Sequence, residues 1–306
     1  MEPAPARKLR DYLGAAPAAL MWGSAALLPP AAASRLGGWL LGHLGPHQRK
    51  HRHVIANLQR VMPDADADTV QRTARDVWRN FGSVLAEYPH LGRIARRNVS
   101  LSVPPGVQQL FDARQPIMFL TGHLGNWELL GSYLGRHSQG LIVIYSPRKN
   151  AVLERLIQRF RTSIGGEYLT KQQALRQLAG RNLNGKSVGL LPDVRIDSGV
   201  PLPLFGAAAP TTVSPPRLAA RLGYPLVPVR VKRVGAARFE LEFAEPLTAD
   251  PASTGKQAAV DVMMQYNRLL ESWISERPGE WLCTKRRWPR PCQVPDTSAV
   301  SAPRLE

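Results

Sequence analysis

Through the middle of the chain, short apolar runs alternate with stretches of helical spacing. Pro116 to Leu120, an apolar run bounded by turn residues, reads as a core strand, and Leu141 to Tyr145, Ser187 to Leu191, Leu226 to Val231 and Phe239 to Phe243 are further strand candidates. Helical spacing fills the gaps between the first three, over Glu128 to Arg136, Leu153 to Ser163 and Gln172 to Ala179. Upstream, Val54, Leu58 and Val61 mark an amphipathic helix that Pro63 stops. Val70, Val77, Phe81, Val84 and Leu85 mark a second, from about Ala67 to Leu91, and a last helix is predicted over Lys256 to Glu276. Strands alternating with helices predict an α/β fold, a mixed central sheet flanked by helices.

The N-terminal segment, residues 1–48, follows a different pattern. No charged residue lies between Asp11 and Arg35, a stretch long enough in principle to cross a bilayer. Pro17, Pro29 and Pro30 interrupt it and much of it is Ala and Gly, which argues against a clean spanning helix. Arg7, Lys8 and Arg10 precede it, Arg49, Lys50, Arg52 and Arg60 follow it, and Trp22 and Trp39 suit the headgroup zone. The expectation is a membrane-associated helical extension that enters or lies on the bilayer, with a single crossing and an Ala-rich packing helix as alternatives. A signal-peptide cleavage pattern is not evident. A main domain over 49–288 and a Pro-, Ser- and Ala-rich tail over 289–306, expected to be disordered, complete the division.

Charge narrows the partners without choosing one. The 306 residues include 40 Lys and Arg against 23 Asp and Glu, a formal net charge of +17, so an anionic partner is expected. No zinc-finger spacing and no basic stretch interleaved with stacking aromatics accompanies this charge, so no nucleic-acid partner is expected. Cys283 and Cys292 are too few for a disulfide framework, and a reduced cytoplasmic setting is acceptable. His47, His51 and His53 stand among Arg49, Lys50 and Arg52 with no acidic or thiol partner nearby, so they read as a basic helix start and no metal is expected.

The candidate chemistry lies just after the first apolar run, in Thr121-Gly122-His123-Leu124-Gly125-Asn126-Trp127-Glu128. In one continuous helix, His123 and Glu128 would face about 140° apart, at ~100° per residue. Gly122 and Gly125 permit a tighter course that keeps His123 in a loop before the helix, with Asn126 capping its first turn. Glu128 could then reach back to one ring nitrogen of His123 and leave the other free to take a proton. A loop histidine and a glutamate on a solvated helix face is the alternative for this spacing.

The fuller string T-G-H-x-G-N-W-E resembles the late acyltransferases of bacterial lipid A biosynthesis, within the glycerolipid and lysophospholipid acyltransferases. Tyr145-Ser146-Pro147-Arg148-Lys149-Asn150 is similar to that family's Y-R-P-x-K-N, with Ser146 in place of its arginine. Arg161 to Gly166 resembles its R-x-x-x-G-G, and Leu190-Leu191-Pro192-Asp193, Pro203 to Gly206, Leu226 to Val229, Trp281 and Arg286-Arg287-Trp288 follow in the family's order. The resemblance implies an acyltransferase-type sandwich over 49–288 and transfer of a fatty acyl chain from acyl carrier protein to a hydroxyl of a lipid A precursor, without a cofactor. It implies His123 as base, Glu128 as its support and Arg161 as oxyanion or phosphate ligand. Asn126, Arg148, Lys149, Arg159 and Asp193 would bind substrate, Asp193 on the acceptor side, and backbone N–H groups around Gly125 and Asn126 could bind an oxyanion. Val194 and Arg195 depart from the Gln-Asp or His-Asp type expected after that aspartate. The implied setting is the cytoplasmic face of the inner membrane, on anionic lipid, peripheral or single-pass. Another lipid or glycolipid acceptor is the alternative within the class, and a membrane-peripheral basic lipid-binding protein with a degenerate site the alternative outside it.

Gly180 to Ser187 fits the P-loop expression G-x4-G-K-S. A phosphate cradle needs a strand before its glycines and a helix after, whereas here a helix is predicted before and a strand after. Gly180 therefore reads as a helix cap and Asn184-Gly185 as a turn. No G-x-S-x-G occurs.

Overall fold

The structure is a computed structural model that describes residues 4–179 and 183–289. Helices α1 (Ala4–Ala26), α2 (Pro30–Leu44), α3 (His51–Val61), α4 (Ala67–Glu87) and α5 (Leu91–Arg97) precede β1 (Val99–Ser102) and α6 (Pro105–Asp112). Then come β2 (Met118–Leu120), the short α7 (Gly131–Leu134), β3 (Leu141–Tyr145), α8 (Ala151–Arg161), β4 (Glu167–Thr170), α9 (Lys171–Ala179) and β5 (Ser187–Leu190). The chain continues through β6 (Val200–Leu204), β7 (Ala207–Thr211), α10 (Ser214–Leu222), β8 (Leu226–Gly235), β9 (Arg238–Phe243) and α11 (Gly255–Glu276).

The main sheet has the order β1-β9-β8-β2-β5-β3-β4 and is parallel except between β8 and β9. Its central strands are buried on both faces, which is why they read as unbroken apolar runs. Met118, Leu120, Val188, Ile142 and Leu226 pack on one face with Leu58, Val77, Met263 and Leu270 of α3, α4 and α11. Phe119, Leu141, Val143, Val227 and Val229 pack on the other with Leu91, Ile94, Leu134 and Ile157 of α5, α7 and α8. The mixed α/β architecture agrees with the sequence reading.

Local differences have identifiable causes. The helix expected to reach Leu91 stops at Glu87, because a 3₁₀ turn over Tyr88–His90, with Pro89 inside it, redirects the chain into α5. The ribbon of β6 and β7 carries Pro201, Pro203 and Pro210, which hid it from a strand reading. Both of its strands are edges, where a missing N–H breaks no central ladder. Residues 290–306, and with them the expected tail and Cys292, lie outside the described residues, as do Gly180, Arg181 and Asn182.

At the P-loop lookalike, α9 precedes and β5 follows, and Asn184 (φ 51°) and Gly185 (φ 70°) form the turn between them. Lys186 Nζ pairs with Glu167 Oε2 at 2.8 Å, both side chains about one-third exposed. Lys186→Ala is therefore expected to change stability by less than about 1 kcal/mol. Titration calorimetry with Mg·ATP should give no binding isotherm, and a tight one that Lys186→Ala abolishes would overturn the assignment as a turn.

The N-terminal helices are built into the fold. Helix α2 crosses α4 so closely that a Cβ at Gly37 or Gly82 would meet the other residue's backbone carbonyl. Trp22, expected in the headgroup zone, is buried instead: its ring packs on Tyr88 and Phe160 with centroids 5.5 and 5.2 Å away, and its Nε1 donates to Leu85 O at 2.7 Å. Trp39 is 59% exposed. Among the described residues, no helix is long and apolar enough to cross a membrane.

Candidate active site

His123 leaves the sheet where β2 ends, beside the end of β5. Thr121 N–H still donates to Leu190 O at 3.0 Å, and Tyr266 Oη of α11 donates to Thr121 O at 2.8 Å, so the exit of β2 is held from two sides. The next strand's exit delivers Asp193, 2% exposed. Its Oδ1 lies 2.8 Å from His123 Nδ1, while Oδ2 accepts from His123 N–H at 2.9 Å and from Trp281 Nε1 at 3.2 Å. Nδ1–H is thereby committed to Asp193, and Nε2 is left as the proton acceptor. The histidine side chain retains 27% exposure. Burial works to lower its pKa, but the charge and hydrogen bond of Asp193, with a smaller contribution from the charge of Glu128, hold it above the ordinary 6.5. Burial works to raise the Asp193 pKa, and His123 and Trp281 bring it below the usual value.

The expected contact between Glu128 and His123 is not formed. Glu128 Oε2 and Oε1 accept from Arg161 Nε and Nη2, each at 2.8 Å, and Oε1 also accepts from Tyr88 Oη at 2.9 Å. A planar guanidinium offers a carboxylate two parallel donors where an imidazole offers one, and Asp193 already holds Nδ1. Nor does a long helix follow His123: a 3₁₀ turn over Trp127–Leu130 leads into the four residues of α7. Arg161 stacks over the rings of Tyr168 and Tyr145, 4.5 and 5.3 Å from their centroids. Burial works to lower the Arg161 pKa, and the Glu128 bonds raise it beyond the ordinary value.

Both charge pairs line one cavity of about 1540 Å³. Phe119, Leu130, Leu134, Leu141 and Val143 give it an apolar wall, and Arg49, Lys50, Arg148, Arg217 and Lys285 stand on its lining as exposed cations. The model of the bacterial lipid A biosynthesis acyltransferase family matches residues 5–290 of this chain. The chain belongs to that family. No curated protein matches it in sequence.

In this lipid A acyltransferase, several residues expected to touch substrate have other tasks. Asn126 is fully buried; its Oδ1 accepts from Glu128 N–H at 3.3 Å and its Nδ2 donates to Glu87 at 2.8 Å, so it caps and anchors the turn. Gly125 N–H donates to Glu280 O at 3.3 Å and is not free for an oxyanion. Gly125 has φ 55°, and a Cβ there would strike Val231 O. Asp193, expected on the acceptor side, is the partner of His123. Arg148 is exposed at the cavity, whereas Lys149 and Arg159 are exposed and do not line it.

The structure also adds Arg287, 2% exposed on the cavity wall, which donates from Nη1 to Pro210 O at 2.7 Å and from Nη2 to Thr211 Oγ1 at 2.5 Å. Burial lowers its pKa to about 10 against the pull of Asp193 and Tyr266. The run Arg286-Arg287-Trp288 was the sequence signal for it. Cys283, also on the wall, has its thiol pushed up to about 12 by burial and stays protonated at neutral pH. Among the described residues, no group of three or more His, Cys, Asp or Glu could hold a metal. His51 is bonded to Gln71 and Trp78, and His53 to Thr284 O.

Proposed function

We propose that this acyltransferase moves a fatty acyl chain from the thioester of acyl carrier protein to a hydroxyl of a lipid A precursor, with His123 as general base. The observation that carries this reading is the His123–Asp193 pair with Nε2 uncommitted at the wall of a large cavity that has an apolar side. The hydroxyl gives its proton to Nε2 as its oxygen attacks the thioester carbonyl. The imidazolium formed is balanced by Asp193, which is buried, ionised and already bonded to Nδ1. Collapse of the tetrahedral intermediate breaks the C–S bond, and the leaving sulfur takes the proton back from Nε2. Arg161, fixed by Glu128 on the cavity lining, serves as the cation for an oxyanion or phosphate. No step requires a cofactor.

Exposed Arg49, Lys50, Arg217 and Lys285 suit a phosphorylated acceptor. Arg195, on the same wall, is paired with Asp197 at 2.5 Å. Val194 and Arg195 replace the polar pair typical of the family, and this favours a second reading in which the acceptor is another anionic glycolipid. The test supplies purified protein with acyl-acyl carrier proteins of graded chain length and either a phosphorylated lipid A precursor or its dephosphorylated form, with products read by mass spectrometry. Acyl gain on the phosphorylated acceptor with a several-fold lower KM is expected. No thioester turnover with any acceptor would leave a lipid-binding protein.

The same reading places the enzyme on an anionic bilayer. Leu13, Leu20 and Leu27 recur every seven residues along α1 and the turn after it and are 66%, 72% and 87% exposed; Leu36, Trp39 and Leu40 of α2 are exposed too. Leu36→Asp with Trp39→Asp is expected to release much of the protein from anionic vesicles in sedimentation without changing its melting temperature. Intact protein that stays wholly soluble with such vesicles at low salt would overturn this attachment.

A further inference from the structure

We infer that Glu87 is a positioning residue for the active-site turn, setting the course of residues 123–128 from beneath through Asn126. This rests on the acyl-transfer reading only for what the turn does, and not for the geometry. Glu87 closes α4 with no exposed surface. Its Oε1 accepts from Ser34 Oγ of α2 at 2.6 Å and pairs with Arg233 Nη1 at 2.5 Å, and its Oε2 accepts from Asn126 Nδ2 at 2.8 Å and from Arg233 Nη2 at 3.2 Å. Two helical turns earlier, on the same face of α4, Asn80 donates from Nδ2 to Gly125 O at 3.0 Å and accepts from Arg233 Nε at 2.8 Å.

Asn80, Ser83 and Glu87, spaced i, i+3 and i+7, thus form a buried polar stripe along one side of α4. A buried carboxylate and guanidinium are costly to desolvate, and an apolar pair would pack as well, so the stripe's distinctive property is directional. It fixes Gly125 and Asn126 midway between His123, which must face Asp193, and Glu128, which must hold Arg161. From its other side the segment is held by Gly125 N–H on Glu280 O and by Leu282 N–H on His123 O, so the stripe supplies the contacts from the α4 side, and the helix that follows is only four residues long.

The test is a double-mutant cycle of Glu87→Gln and Asn126→Ala, read by kcat, KM and amide hydrogen exchange. Each single variant is expected to lose roughly 10- to 100-fold in kcat, the scale of an ångström-level misplacement, with KM for both substrates within about twofold. The double variant should be no worse than the worse single, because both act through one contact. Exchange should quicken at Gly125 to Leu129 while the α4 core stays protected. Should Glu87→Gln fail to fold, Asn126→Ala alone decides, because it leaves the Glu87–Arg233 pair intact. Unchanged exchange in the turn with kcat near wild type overturns the inference, as do losses that simply multiply. Faster exchange in the turn of a protein that transfers no acyl group would instead uphold the positioning role and reject the assigned reaction.

Discussion

Asp193→Asn is expected to lower kcat by on the order of 10²- to 10⁴-fold, the scale on which a positioned base and its orienting carboxylate contribute. The amide keeps the shape of the side chain but removes the charge that stabilises the imidazolium, and it can present N–H to Nδ1, favouring the wrong tautomer. A pH profile separates this from simple damage. His123 acts as a base only when neutral, and its pKa lies above 6.5 in the intact pair. Wild-type kcat/KM should therefore rise with pH through a value above 6.5. Without the Asp193 charge, burial is left to lower the His123 pKa, so the acid limb should move downward in the variant even as the plateau falls. His123→Ala with Asp193→Asn should be no slower than His123→Ala alone. A plateau near wild type with an unmoved limb would remove Asp193 from the mechanism.

How much of this could be read from the chain depended on whether the determinant was local. The strands β2, β3, β5 and β8 were legible because burial in the middle of the sheet leaves short apolar runs, and β9 because Phe239, Leu241 and Phe243 alternate with Glu240 and Glu242. His123 was legible because a strand exit followed by glycines is a local pattern. Its partner was not, since Asp193 lies 70 residues away and meets it only because β2 and β5 are neighbours in the sheet. Spacing suggested Glu128 in its place, and the pairing of that residue with Arg161, 33 residues on, depends on α8 packing beside the Trp127–Leu130 turn on the same face of the sheet. Trp22 was misplaced for a similar reason: an amphipathic ring suits a headgroup zone, but here Tyr88 and Phe160 cover it. The polar stripe of α4 was visible as Asn80, Ser83 and Glu87 at helical spacing.

Packing also changes what removal of the N-terminal segment should do. Were residues 1 to about 45 only a membrane-associated extension, their deletion would leave the catalytic pocket intact. Leu41 lines the cavity, Ser34 bonds Glu87, and Trp22 covers Tyr88, the donor to Glu128. Deletion would take the Ser34 bond from Glu87 and uncover the α4 surface on which α2 packs. Only substitutions at exposed positions such as Leu36 and Trp39 separate attachment from folding.

Glu128→Ala and His123→Ala are expected to differ in kind, although both should nearly abolish transfer. His123 is partly exposed and neutral in its working form, so its loss leaves Asp193 with Trp281 and costs little stability. Glu128 is half of a buried pair, its side chain 3% exposed against 13% for Arg161. Removing it strands a guanidinium that cannot lose its proton, between Tyr168 and Tyr145, and leaves Tyr88 Oη without its acceptor. Breaking a buried pair from one side typically costs about 3–5 kcal/mol, so Glu128→Ala should melt well below wild type. Arg161→Ala should do the same from the other side, and Arg161→Lys should recover part of the stability but little of the rate, because a lysine cannot make the two parallel bonds. Thermal denaturation beside kcat for all four variants decides the matter. A Glu128→Ala protein that melts like wild type and is merely slow would mean that this carboxylate acts on the imidazole and not on Arg161.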